Sequence, residues 1–444
     1  MTTKKQAVGV LELTSKYRYG LTSRGAPLFL FKPYDQGQPD LIVGSTERDL
    51  SRNQIAVVEL SAEETKHLGR GSLLRLIGPV GDFSAEKEAL LLHYAGSKHK
   101  IPTDPEPDTS DDENRIPLSA ETGWIIFHID PPGCRDVDDA IAYHHETRTW
   151  AITIADAAAA VPVDSAIDQA AKAIGATFYD LEGRALKPML PPVISEAEAS
   201  LLPGTRKRGL TLFLDTGRFA LTWITVAETF TYESFHGSAL AFDLQISKDP
   251  HLWIEELMIR YNRAAAALLK SAGAGLLRVQ PVADADKIAA WSAIDPMLAN
   301  EAASYEPARP ESEVQTHASL GLYCHASSPL RRYADLVNQR ALKAILGGQT
   351  PIAGGVADHL NLRAKANKRW SRDLTFLTQV TPGRIHIIDV VWISEDKVWV
   401  SSWKRTIRLR HEEVRPIGHR GKIQIFCDPT RRNWQQRVLT APAL

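Results

Sequence analysis

The chain has 444 residues, 44% of them hydrophobic, and a formal net charge of -1, enough for two to four domains with cores of their own. No run approaches the roughly 18 to 20 apolar residues of a membrane span, and Met1 to Gln6 lack the apolar core of a signal peptide, so a protein of a reducing cytoplasm is expected. The three cysteines, Cys134, Cys324 and Cys427, are odd in number and scattered, which argues against a disulfide framework and against a structural zinc site.

Residues 7–60 carry short β-type runs at 9–13, 28–31, 41–44 and 55–60, separated by Gly, Asp, Asn and Ser turns. The spacing predicts a small antiparallel barrel, although a winged helix would show similar strands and turns. A further strand and an apolar segment at 89–94 complete an N-terminal β domain over 1–100. The stretch PTDPEPDTSDDENR at 102–115 is rich in Pro, Ser and acid, with almost nothing apolar, and predicts an exposed linker over 101–115.

From 116 to 379 strands alternate with helices. Strands are expected at 124–129, 140–143 and 150–155. Ser165 caps a helix that ends at Gly175, and further helices are expected at 251–272, 329–346 and about 357–376. Ser328 as N-cap and Pro329 as first helical residue would aim free N–H groups, Arg331 and Arg332 at whatever precedes that helix. After Pro382-Gly383 a series of short strands predicts a second small barrel over 380–444. The fold class is α+β, with a central mixed α/β domain flanked by small β-barrel domains. Residues 361–444 hold 17 Lys or Arg against 7 Asp or Glu, interleaved with Trp370, Trp392, Trp399, Trp403 and Trp434. Bases that stack on rings and phosphates that meet cations make single-stranded nucleic acid the matching partner; a basic β domain with tryptophans in its core is the competing reading.

The most informative run is HIDPPGCRDVDDA at 128–140, which places Asp130, Asp136, Asp138 and Asp139 between two apolar flanks. Carboxylates so crowded raise one another's pKa unless a cation compensates them. Hard oxygen donors without histidine suit Mg²⁺, or Mn²⁺, rather than zinc. A calcium loop is the alternative, but the glycine and terminal glutamate of an EF-hand do not follow Asp139. His128, His144, His145 and His325 lack ligand spacing and read as structural; Asp156 either orients the site or caps the next segment.

This run, together with IADAAAAVPVDSAID (154–168), GATFYDLEGRALKPMLPP (175–192) and HASSPLRRYADLVNQRALKAIL (325–346), resembles the RNB exoribonucleases, the ribonuclease II and ribonuclease R family. The resemblance covers roughly 116–379, and the flanks resemble the family's OB-type domains in composition. It implies a Mg²⁺-dependent, processive 3′→5′ exoribonuclease that hydrolyses single-stranded RNA to nucleoside 5′-monophosphates. By position it makes Asp130, Asp136, Asp138 and Asp139 metal ligands, with Asp138 the most critical for turnover. It makes Arg331 a phosphate contact near the scissile bond and Tyr179 a platform for the terminal bases, with Arg332 beside them on the RNA. A monomer without membrane association is expected. Three features depart from the family: one N-terminal unit instead of the frequent two, a short stretch between Phe230 and Glu256, and Ser371 where an acidic residue is expected. A non-catalytic RNA-binding protein of the same fold is the rival reading.

Overall fold

A computed structural model describes residues 5–60, 68–96, 107–310, 314–351, 355–380, 384–409, 415–428 and 438–443. The chain divides into two compact units, one of Met1–Lys98, Phe178–Arg184 and Ala366–Leu444, the other of His99–Thr177 and Ala185–Lys365. The expected boundary at 379/380 thus falls at 365/366. No helix among the described residues is long and apolar enough to cross a membrane.

In the first unit the strands Gln6–Leu11, Leu28–Pro33, Leu41–Gly44, Gln54–Leu60 and Gly69–Pro79 form a closed barrel, with the fifth strand inserted between the third and fourth. Closure satisfies every strand edge and is the OB-like solution, not a winged helix. Leu11, Phe29, Phe31, Val43 and Val58 are fully buried inside it. Gly9 is required there, because a Cβ would meet the Lys32 carbonyl oxygen at 2.2 Å. The apolar segment at 89–94 is the second half of a helix, Phe83–Ala95, capped by Asp82 and packed through Ala85 and Ala89 against Val8, Val10 and Ile55.

The C-terminal strands form a five-stranded antiparallel sheet in the order Arg405–Arg408, Lys397–Val400, Ile385–Ser394, Arg420–Cys427, Val438–Pro442. The tryptophans expected to stack on bases are core residues here: Trp370 and Trp392 are 1% exposed, Trp399 6% and Trp403 9%. Their area is worth more packed in the core than in water, so these four rings follow the core reading. Trp434 and Pro382-Gly383 lie outside the described residues.

The second unit is built on a seven-stranded sheet. Its order is Glu228–Phe230, Trp124–Ile129, Asp139–His144, Thr149–Ala155, Lys207–Phe213, Arg218–Ile224, Ile116–Leu118, antiparallel in the middle and parallel at both edges. Alternation along Trp124–Ile129 sends Ile126 into one buried cluster and Phe127 and Ile129 into the other, so both faces are covered. Ile254, Leu257, Tyr261 and Leu269 of the helix Pro250–Ala272 pack on the second face. Of the stretch read as an exposed linker, 107–115 are described, and Arg115 is fully buried because Asp112 and Asp156 both pair with it.

One helix start differs from expectation. The helix begins at Tyr333, with Arg332 extended at φ -133°, ψ 124°, while Ser328 to Arg331 form a turn. Two long-range contacts outcompete the local helix signal: Arg332 bridges to Ala176, and the Leu330 N–H is taken by a carboxylate described below.

Candidate active site

The strand Trp124–Ile129 ends where the Asp130 N–H bonds the Phe230 carbonyl (3.0 Å) on the sheet's edge strand. A turn then reverses the chain into Asp139–His144, with Gly133 at φ +78° and the Cys134 N–H closing onto the Pro131 carbonyl at 3.1 Å. Val137 is fully buried, its N–H donates to Ser200 Oγ (3.0 Å), and that hydroxyl donates to the Arg135 carbonyl (2.6 Å). The turn is therefore pinned on both sides of Asp136. Because the two strands are adjacent, Asp130, Asp138 and Asp139 gather at one end of the sheet.

Asp138 is 3% exposed, and both its oxygens are engaged. Oδ1 accepts from the Leu330 N–H (2.9 Å) and Oδ2 from Arg331 Nε (2.8 Å). Burial still pushes its carboxyl up to about 7, against the pull of Arg331 and the Leu330 N–H. Asp139 is more extreme: enclosure by protein, then the negative charges of Asp130 and Asp138, drive it well above the carboxylate range, and Arg331 only partly offsets them. Among the described residues its carboxylate accepts no hydrogen bond. Asp130 Oδ2 lies 2.8 Å from His128 Nδ1. Asp136 is half-buried, 3.6 Å from the Cys134 thiol, which burial and the charges of Asp130 and Asp136 keep protonated.

Arg331 is the cation of this site. Its guanidinium bonds Asp138 and donates through Nη2 to Ser328 Oγ (2.9 Å), and its side chain is 43% exposed. Arg332 has a different office. It bonds the fully buried Asp335 (2.8 Å), which also accepts the Ser328 N–H (2.8 Å), so this pair shapes the turn that presents Arg331. Asp335 lies one helical turn from Arg331 in sequence, yet its partner is Arg332. Tyr179 belongs to the other compact unit, half-buried, with its carbonyl accepting from Trp370 Nε1 at 2.7 Å.

Sequence reasoning missed Ser328 as a guanidinium partner, the Leu330 N–H, and Tyr232. The Tyr232 phenol is pushed up to about 12 by burial and by Asp130 and Asp139, which places it beside the cluster; no spacing in the sequence connects it to them. Asp156 takes the capping reading of the two left open, and it also anchors two cations. It caps the Ala159 N–H (3.1 Å) and pairs with Arg115 (2.5 Å) and Lys343 (2.9 Å).

Among the described residues no three His, Cys, Asp or Glu side chains converge to cage a metal ion. The geometry instead divides the four aspartates. Asp138 is committed to Arg331 and Leu330, whereas Asp139, undercompensated and facing Asp130, has the deficit that a divalent cation would cancel. Two carboxylates are a fitting set for Mg²⁺, which commonly takes one or two protein oxygens and completes its shell with water and phosphate. A cavity of about 390 Å³ in the other unit, lined in part by Arg369, Arg372, Arg405 and His93 together with Asp35 and Asp373, contains none of the four aspartates of the acidic turn.

Comparison with known proteins follows the same segments. The chain is 26% identical to ribonuclease R of Helicobacter pylori over 395 residues, covering 67% of this chain and 58% of the relative. It spans somewhat more than half the length of the curated relatives it matches. Among solved structures it is similar in fold to RNase R of Mycoplasma genitalium in its apo form (TM-score 0.71, 16% identity, 99% of this chain and 90% of that one). It is also similar to yeast Ssd1, described as a pseudonuclease (TM-score 0.68, 16% identity, 96% and 68%). The RNB domain profile matches residues 122–236 and 225–348, just over half the chain, and with the acidic turn and the Arg331 turn both inside that span, the chain belongs to the RNB family of exoribonuclease relatives.

Proposed function

We propose that the protein is a metal-dependent 3′→5′ exoribonuclease that degrades single-stranded RNA processively and releases nucleoside 5′-monophosphates. The observation that carries this reading is the undercompensated Asp139, with Asp130 near it, beside a half-exposed arginine held from behind by Asp138. Phosphodiester hydrolysis needs such a place, where the charge of a phosphoryl group is met and a water is aimed at it. Arg331, oriented by Asp138 and Ser328, supplies planar donors for phosphoryl oxygens. Asp130 and Asp139, with Asp136 behind the Cys134 thiol, are assigned to holding Mg²⁺ or Mn²⁺. Bound there, the ion supplies charge neutralisation and a more acidic water. Asp138 keeps Arg331 in register and positions the attacking water. Tyr179 is assigned to stacking on the terminal bases.

A 5′-labelled oligoribonucleotide incubated with Mg²⁺ should pass from full length to a short labelled end product without accumulating intermediates, with release of free 5′-monophosphates, and EDTA should stop both. Undiminished release by Asp138→Asn would remove the site from this role. The second reading, an RNA-binding protein without turnover, draws on the lack of a three-ligand cluster among the described residues and on the fold shared with a pseudonuclease. Tight RNA binding with no mononucleotide at any Mg²⁺ or Mn²⁺ concentration would select it.

A further inference from the structure

We propose that His128 is a positioning residue for Asp130, fixing the orientation in which its carboxylate is offered to a divalent cation; this rests on the metal-site reading above. By its place in the sequence His128 lacks ligand spacing and reads as structural, yet its surroundings do not suit a purely structural imidazole. It is 5% exposed on a strand whose neighbours Ile126, Phe127 and Ile129 are all core residues. Alternation puts His128 on the same face as Ile126, toward the cluster that holds Val137 and Ala140. An apolar side chain would pack there without cost. Instead Nε2 is buried with no hydrogen-bond partner, an expense the fold carries for one polar contact, Nδ1 to Asp130 Oδ2 at 2.8 Å.

That single contact fixes the tautomer. A proton on Nδ1 is donated to Oδ2, and Nε2 is left as a bare acceptor, which is less costly to bury than an orphaned N–H. Oδ2 is thereby engaged and the carboxylate plane set, with the Cys134 thiol also at this carboxylate, and the orientation so held is the one offered to a cation shared with Asp139. Groups behind a metal-binding side chain commonly matter by about 10- to 100-fold in metal affinity, because they hold the ligand in its binding orientation. His128 also cannot compete for the ion itself, since Nδ1 is committed and Nε2 points into the core.

The test measures Mn²⁺ binding to the full chain without RNA, by the loss of the free-ion EPR signal, alongside the Mg²⁺ midpoint for RNA degradation and a thermal melt. Wild type and Asp139→Asn establish whether the site binds at all. His128→Phe should weaken Mn²⁺ binding about tenfold or more and raise the Mg²⁺ midpoint by a similar factor. His128→Asn, whose amide N–H reaches the place of Nδ1, should recover most of the loss; His128→Gln, whose amide sits one bond farther out, should not. A merely structural role predicts that affinity follows the melting temperature, with Asn no better than Gln. Phe binding within twofold of wild type, or Gln equal to Asn, overturns the proposal even if Phe proves unstable. If wild type binds no Mn²⁺, or Asp139→Asn binds as wild type does, the metal-site reading itself falls, and this inference with it.

Discussion

Two groups of buried aspartate occupy neighbouring strands of the same sheet and are treated in opposite ways. Asp156, at the end of Thr149–Ala155, is fully enclosed and answered by two cations, Arg115 and Lys343, which hold its carboxyl below the ordinary range despite burial. Asp139, which opens the adjacent strand opposite Ile154, has two negative neighbours and only a share of Arg331, and its carboxyl is driven far up. A carboxylate that builds structure is given its countercharge by the chain. One left short is a place where the countercharge must arrive from outside, as an ion or a substrate.

The largest effect should come from breaking the compensated group. Asp156→Ala leaves Arg115 and Lys343 buried without an anion, and should cost about 3–5 kcal/mol in urea unfolding at pH 7. Because the folded carboxyl titrates below the unfolded one, its stabilisation is present above the ordinary carboxyl range and disappears as pH falls through the depressed value. The variant should therefore unfold in acid with a shallower dependence on pH, and a loss below 1 kcal/mol would mean that the cations are solvated after all.

Next in size is Arg331→Lys. An ammonium cannot bond Asp138 and present a planar pair of donors together, so RNA turnover should fall roughly 10²- to 10³-fold, about 2.7–4 kcal/mol. Turnover within threefold of wild type would show that charge alone suffices.

The undercompensated group should behave with the opposite sign. Asp139→Asn is expected to stabilise the metal-free protein by about 1–2 kcal/mol at pH 8. A folded carboxyl raised above its unfolded value contributes fully below the ordinary carboxyl range and loses that contribution as pH rises toward the folded value. The gain should vanish near pH 4 and shrink when Mg²⁺ is added, since the ion stabilises only the wild type. A metal-independent difference in thermal melts would sever the link between the charge deficit and cation binding.

Smallest is Ser328→Ala, which removes one hydroxyl from the Arg331 guanidinium. About 1 kcal/mol, or fivefold in turnover with little change in melting temperature, is the expected size. A larger loss would indicate that the whole turn, and not one donor pair, had moved.

Much of this was legible in the amino-acid order. The strand at 124–129 and the helices at 251–272 and 357–376 are written in apolar period and in caps such as Ser165 and Gly273, which act over a few residues. The acidic turn was legible for the same reason, since four aspartates in ten positions need no fold to be recognised as a charge problem. The start of the helix at 333 was misread because Ser328-Pro329 is a good local signal, overruled by a carboxylate 192 residues away. Whether the tryptophans stack on bases or pack in the core was not legible, because interleaving with basic residues does not say which rings the fold covers.

What the order of residues determined is therefore the set of elements, the barrel-like ends and the chemistry of the acidic turn. The tertiary structure alone decided how charge is shared between distant segments: Arg331 to Asp138, Lys343 and Arg115 to Asp156, and little to Asp139. The physical reason is range. Propensity and periodicity are settled between near neighbours, whereas the countercharge a buried carboxylate receives depends on which distant segments the packing brings to it, and here those lie 193, 187 and 41 residues away.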